Sequence, residues 1–385
     1  MNKLTPWFYG WNIVAMTFFI QFLVMGSGYY IFGVLLKPLS ETLDASRFVV
    51  SLALTGQIVM SAVLGPWLGR AVGERSIRGL MTTGILVMAA GLAGISLAET
   101  IWQFYIAFML LVSVGFALAG PVPSGALLIP LFTWLMLTFD WRIALRVFAI
   151  GVPIFALPVI WFGIIKTPKE KGLNPDGDAS RQEDDLDTGA GGETEWTLRA
   201  AIRNKTVWRL ALIMGPGFMG ISAVLLSLHS HLTDSGLSAM RASSVVAAMT
   251  FAGAVAKPLF GILSDYLSKQ WVTFASIVFM FLGVAGIITS THFMFVLLAA
   301  ASFGLGYGAQ MPLFNILIAT LFGQRSFARM VGIMGPIMLP FNLLGLPMST
   351  WIYESFGSYT PAYAFMLGLY VVAMISLATF KLPSR

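Results

Sequence analysis

The chain has 385 residues, 57% of them hydrophobic and only 10% charged, with a mean hydropathy of +0.83. That little charge cannot cover a water-soluble domain of this size, so the bilayer is the natural solvent. With no cysteine there is no disulfide frame or thiolate metal site, and the formal net charge of +6 lies in short loops, where it orients the chain rather than binding nucleic acid.

A membrane-crossing helix needs about 20 apolar residues. The first apolar run, 7–36, is too long for a signal-peptide core and reads as a retained span. Further spans are expected at 48–69, 79–98, 101–120, 124–139, 145–165, 206–228, 243–264, 271–290, 293–320, 330–353 and 360–380, making twelve, with 124–139 clearly short. Segment 166–205 is polar, glycine-rich and acidic, with Glu183, Asp184, Asp185 and Asp187, and reads as a solvated linker. The expected protein is an all-α polytopic membrane protein with an N-terminal bundle at 1–165, a linker at 166–205 and a C-terminal bundle at 206–385.

Lys and Arg test the topology. With the N-terminus inside, the inner segments carry 17 of them and the outer segments 5, while Lys257 lies within a span. An excess of basic residues marks the cytoplasmic side, which puts both termini in the cytoplasm of a cell with this protein in its cytoplasmic (inner) membrane.

The two halves repeat each other. Gly65-Pro-Trp-Leu-Gly69-Arg70 closes the second span and Gly261-Ile-Leu-Ser-Asp265-Tyr266 the eighth. Pro130-Leu-Phe-Thr133-Trp134 likewise matches Pro347-Met-Ser-Thr350-Trp351. Gly65 to Pro130 is 65 residues, whereas Gly261 to Pro347 is 86. The first half is therefore shorter by 21 residues, which predicts a missing piece at the end of span four and the start of span five.

Phe8-Tyr9-Gly10-Trp11, the segment from Gly65 to Arg78, Asp140-Trp141-Arg142, the run from Leu232 to Ser238 and Lys257-to-Asp265 together resemble bacterial major facilitator transporters of the oxalate:formate antiporter and monocarboxylate porter group. The resemblance implies the major facilitator fold, two six-helix bundles with the substrate between them, and transport by alternating access. It further implies a small anionic substrate, coupling to a proton or a counter-transported anion, and a monomer in the lipid bilayer.

Lys257 is the leading candidate for substrate binding. It lies eight residues before Asp265, about 12 Å inside the end of its span, where an ammonium is costly unless it is paired or faces water. All 17 Asp and Glu fall in loops or at span ends. In the resembling group this position is usually arginine and is implicated in binding carboxylate; the group's dicarboxylate members also carry a lysine in span eleven, where this chain reads Gly332-Ile-Met-Gly335-Pro-Ile-Met-Leu-Pro340 without charge. One cation instead of two points to a monocarboxylate. A lysine that snorkels to the interface is the competing reading.

Tyr29, Tyr30, Gln57, Gln310, Asn315 and Asn342 are further substrate-binding candidates, with interhelical bonding as the competing role; the fold that the resemblance implies favours Tyr30 and Asn315. His229, at the end of span seven, is a candidate proton site, against a structural interfacial role. Gly65, Gly69, Arg70, Gly261 and Asp265 are candidate gating residues; in the group's pattern the Gly69 position is normally aspartate. There is no phosphate-binding Gly-x-x-x-x-Gly-Lys-Ser/Thr loop for an ATP-driven pump and no paired groups for intramembrane catalysis, so neither enzyme activity, metal nor cofactor is expected. Two other readings stay open: a transport-inactive or sensor-like homologue, because of the shortened span five, and efflux of a hydrophobic compound, with Lys257 merely structural.

Overall fold

The computed structural model describes residues 16, 19–20, 22–74, 77–119, 128–163, 198–323 and 326–380. Twelve helices correspond to the twelve expected spans: α1 (Phe22–Thr42), α2 (Arg47–Glu74), α3 (Ile77–Leu97), α4 (Ile101–Leu118), α5 (Leu128–Thr138), α6 (Trp141–Gly163), α7 (Lys205–Asp234), α8 (Ala239–Tyr266), α9 (Lys269–Thr289), α10 (Phe293–Phe322), α11 (Phe327–Phe356) and α12 (Thr360–Ala378). Among the described residues, ten of them are long and apolar enough to cross a membrane, α2 and α5 being the exceptions. A short helix, Leu198–Arg203, precedes α7.

Local chemistry sets the boundaries. Thr100 and Gln103 form a reciprocal cap at the start of α4. Asn204, Ser238 and Ser268 accept backbone N–H groups at the starts of α7, α8 and α9. Within the Leu232–Ser238 run, Gly236 takes a left-handed turn (φ +94°) that lets the chain reverse between Asp234 and the Ser238 cap. Of the linker expected at 166–205, residues 166–197 lie outside the described residues, whereas 198–205 are not solvated linker: they hold the short helix Leu198–Arg203, the Asn204 cap and the first residue of α7.

The packing falls into two sets. In the first half α3 packs on α4 and α6, and α2 on α4; in the second α9 packs on α10 and α12, and α8 on α10. These equivalent pairings are the spatial form of the sequence repeat. The counterpart of α11 in the first half is α5: α7 packs along α11, which has 30 residues, whereas the described part of α5 has 11, the residues just before Leu128 lying outside the described set. At 1.5 Å per residue those 11 residues span about 17 Å. The expected missing piece lies at residues 120–127, outside those described.

Among the described residues, the main helix contacts between the halves are α1 with α7, α2 with α11 and α5 with α8. Gly33 makes the first of these contacts possible, because a Cβ there would come within 2.9 Å of the Leu226 carbonyl oxygen on α7.

Candidate functional site

A cavity of about 400 Å³ lies between the halves, lined by α1, α2, α4, α7, α8, α10 and α11. Of the sequence-derived candidates it gathers Tyr29, Tyr30, Gln57, Lys257 and Asn342. Tyr29 and Tyr30 lie edge to face, 5.8 Å between ring centres. They sit on a π-helical stretch, Gly26–Tyr30, whose wider turn carries two consecutive side chains toward one space. Lys257 is half-buried and directly precedes Pro258, which lacks an N–H, so the α8 backbone loses one internal hydrogen bond beside the ammonium. Gln57 is 3% exposed, and neither its amide oxygen nor its nitrogen has a hydrogen-bond partner within the protein. Leaving such an amide unsatisfied costs about 1–3 kcal/mol. Asn342 donates to the Met338 carbonyl at 3.3 Å.

Two candidates fall elsewhere. Gln310 is fully buried, with its amide nitrogen 3.4 Å from the Met280 sulfur on α9, and packs over Gly217 rather than lining the cavity. Asn315 is exposed and does not line it either. Tyr307, absent from the candidates, takes their place on α10 and shares the cavity wall with Tyr30 of the opposite half. A tyrosine in an apolar helix gives no sequence signal that separates a lining role from a packing one.

The ends of α1, α7 and α11 and the start of α2 form a second polar feature. Asp234, the last residue of α7, accepts from Lys37 of α1 at 3.0 Å and from Arg47 of α2 at 2.5 Å. Arg47 also donates to the Tyr359 hydroxyl (3.2 Å) and lies 4.1 Å from the ring centre of Tyr353. Burial pushes the Tyr359 phenol up to about 12, so it stays protonated and its oxygen serves as acceptor. The Phe48 amide donates to Glu354 at 2.7 Å. Deeper, two hydroxyl pairs bridge the halves: Ser51 with Thr350 at 3.0 Å and Thr133 with Ser243 at 2.6 Å. All four residues are fully buried. Thr133 and Thr350 are the equivalent positions of the repeat noted above, so the fold's internal symmetry is carried into its seam. A clamp of this kind closes one end of the interface.

His229 belongs near this clamp. The helix runs on to Asp234, past the expected span end at 228, so His229 is a buried residue (5% exposed) inside α7 rather than an interfacial one. It lies beside the Ala239 backbone at the start of α8 and within electrostatic reach of Lys37 and Asp234. Of the gating candidates, Asp265 is exposed in the last turn of α8, and Gly261 has open space around it. Gly65, Gly69 and Arg70 lie on helical backbone in α2, with side-chain environments outside the described set.

Twelve helices in two repeated sets around a central cavity define a polytopic helical membrane protein of the major facilitator fold. Residues 210–385 match the family model described as Major Facilitator Superfamily. Among solved structures, the chain is similar to a bacterial homologue of the human lysosomal transporter Spinster in an inward-facing, occupied conformation: TM-score 0.67, 13% identity, covering 98% of this chain and 96% of that one. It is also similar to a mutant of the nucleoside transporter NupG: TM-score 0.69, 14% identity, covering 97% of this chain and all (100%) of that one. No curated protein matches the chain.

Proposed function

We propose that the protein is a secondary transporter that moves a small organic anion, a monocarboxylate, across the cytoplasmic membrane by alternating access. The observation that carries this reading is Lys257 lining a cavity shared by both halves, opposite a Gln57 amide with no partner inside the protein. An ammonium and an unsatisfied amide in a largely apolar space suit a guest with one charged, hydrogen-bonding end. Lysine supplies this as a point charge, without the two-pronged geometry of arginine. With both termini in the cytoplasm, the Lys37–Arg47–Asp234 clamp lies on the outer side, so the conformation is the one closed to the outside. His229, buried behind that clamp, is the group whose protonation would couple a proton to its opening; exchange against a second anion is the other mode.

Purified protein in liposomes should take up labelled monocarboxylates, and Lys257→Gln should abolish that uptake while the protein stays monodisperse. Uptake unaltered by Lys257→Gln would remove the lysine from the mechanism. The 21-residue shortfall between the two repeats supports a rival reading, a transport-inactive homologue. A folded wild-type protein that neither binds nor moves any monocarboxylate would establish it.

A further inference from the structure

The cavity's size and walls are poorly matched to the smallest carboxylates. Counted generously, at the volume share of one water per heavy atom (about 30 Å³), the six heavy atoms of pyruvate would fill less than half of the about 400 Å³ available. A guest of about ten to thirteen heavy atoms would fill it. The polar groups are few, and among the described lining residues Lys257 is the one charged side chain. A second carboxylate would have to be desolvated against apolar wall with no cation to receive it. The rest of the wall is dominated by large apolar side chains, with Phe116 and Ile58 from the first half and Phe218, Ile221 and Leu225 from α7.

The aromatic content is specific. Tyr29 and Tyr30 form an edge-to-face pair, Phe218 stands edge to face on Phe314 (5.5 Å, 82°), and Tyr307 approaches from the opposite half. Such rings present both faces and edges to the cavity, the surfaces that a guest ring packs against best. On the opposite side Gly335 of α11 leaves open space where a side chain would stand.

We infer that the substrate is an amphipathic monocarboxylate with a bulky apolar body, an aryl-alkanoate of about eleven heavy atoms, held with its carboxylate at Lys257 and Gln57 and its ring among Tyr29, Phe116, Phe218 and Tyr307. This rests on the anion-transport reading and narrows its substrate class.

The test is a binding series on the purified full chain in detergent and in liposomes. It compares 3-phenylpropanoate, pyruvate, oxalate and the uncharged 3-phenylpropan-1-ol. We expect 3-phenylpropanoate to bind at least tenfold more tightly than pyruvate or oxalate, and at least tenfold more tightly than the alcohol. Gly335→Leu should weaken phenylpropanoate at least tenfold more than it weakens pyruvate. Ile58→Phe, from the other half, should do the same and guards against a folding defect in either variant. If pyruvate or oxalate binds as tightly as phenylpropanoate, the size inference falls while anion transport stands. Should the alcohol match the acid, the site is a hydrophobic-compound site and both readings fall. Absence of binding by all four to folded protein also overturns both.

Discussion

Ser51 of α2 and Thr350 of α11 bring their hydroxyl oxygens to 3.0 Å across the two halves, and both residues are fully buried. The chain contains no cysteine, so it provides a clean background for locking this seam. Hydroxyls this close place the side-chain carbons near the separation a disulfide needs. The Ser51→Cys/Thr350→Cys protein should cross-link under mild oxidation, lose transport, and recover it on reduction. Transport that continues through a fully formed cross-link would show that this seam does not open during the cycle.

Asp234 holds two cations from the other half, Lys37 and Arg47, with its side chain 21% exposed and that of Arg47 11% exposed. A hydrogen bond to a charged group contributes about 1.5–3 kcal/mol, discounted here because the cluster is partly open to solvent. Asp234→Asn should therefore favour opening at this end, and a cysteine placed at Ser243 should react with a membrane-impermeant maleimide about tenfold faster, tenfold being about 1.4 kcal/mol. An unchanged labelling rate would mean that the clamp contributes nothing to closure.

Gly33 should respond in the same direction by a different route. The Leu226 carbonyl oxygen stands 2.9 Å from where a Cβ would sit, so Gly33→Val must push α1 off α7. Faster labelling at the same reporter, without loss of the helical circular dichroism, is the expected result.

Gln57 offers a test that separates binding from folding. Its amide is buried without a partner within the protein, so Gln57→Leu removes an unsatisfied group that costs about 1–3 kcal/mol. The ligand-free variant should melt at or above the wild-type temperature, while carboxylate affinity falls about five- to thirtyfold, the binding counterpart of about 1–2 kcal/mol. A variant that melts lower and binds as well as wild type would assign Gln57 a structural role instead.

Lys257→Arg should preserve anion selectivity, because the charge is kept, and Lys257→Gln should lose it. Equal losses in the two variants, read as uptake of the labelled acid, would mean that shape at this position matters more than charge.

Much of the architecture was legible in the amino-acid order. The apolar runs located all twelve helices, since a bilayer demands continuous apolar length whatever the tertiary contacts. Errors sat at the ends: α1 and α7 extend to Thr42 and Asp234, several residues past the last apolar run, because helical turns carrying Lys37, His231 and Asp234 are stabilised by partners on other helices. The site was partly legible. Lys257 stood out because a charge inside an apolar span is costly, and Gln57 and Asn342 for the same reason in weaker form. Tyr307 did not stand out, and Gln310 and Asn315 carried the same polar signal as Gln57 yet do not line the cavity.

What the chain's order determined by itself is thus the solvent it lives in, the places of its long apolar helices, its repeat and the one cation inside its second half. Only the tertiary structure decided that Arg47 and Asp234, 187 residues apart, close one end, and that Gln57, Lys257 and Tyr307 share a space. The physical reason is that a helix in lipid is apolar on the side facing lipid and on the side facing its neighbours alike. Its hydropathy records that it crosses the membrane, but not which face it turns to the cavity; close packing between particular helices, at contacts such as Gly33 against Leu226, settles that.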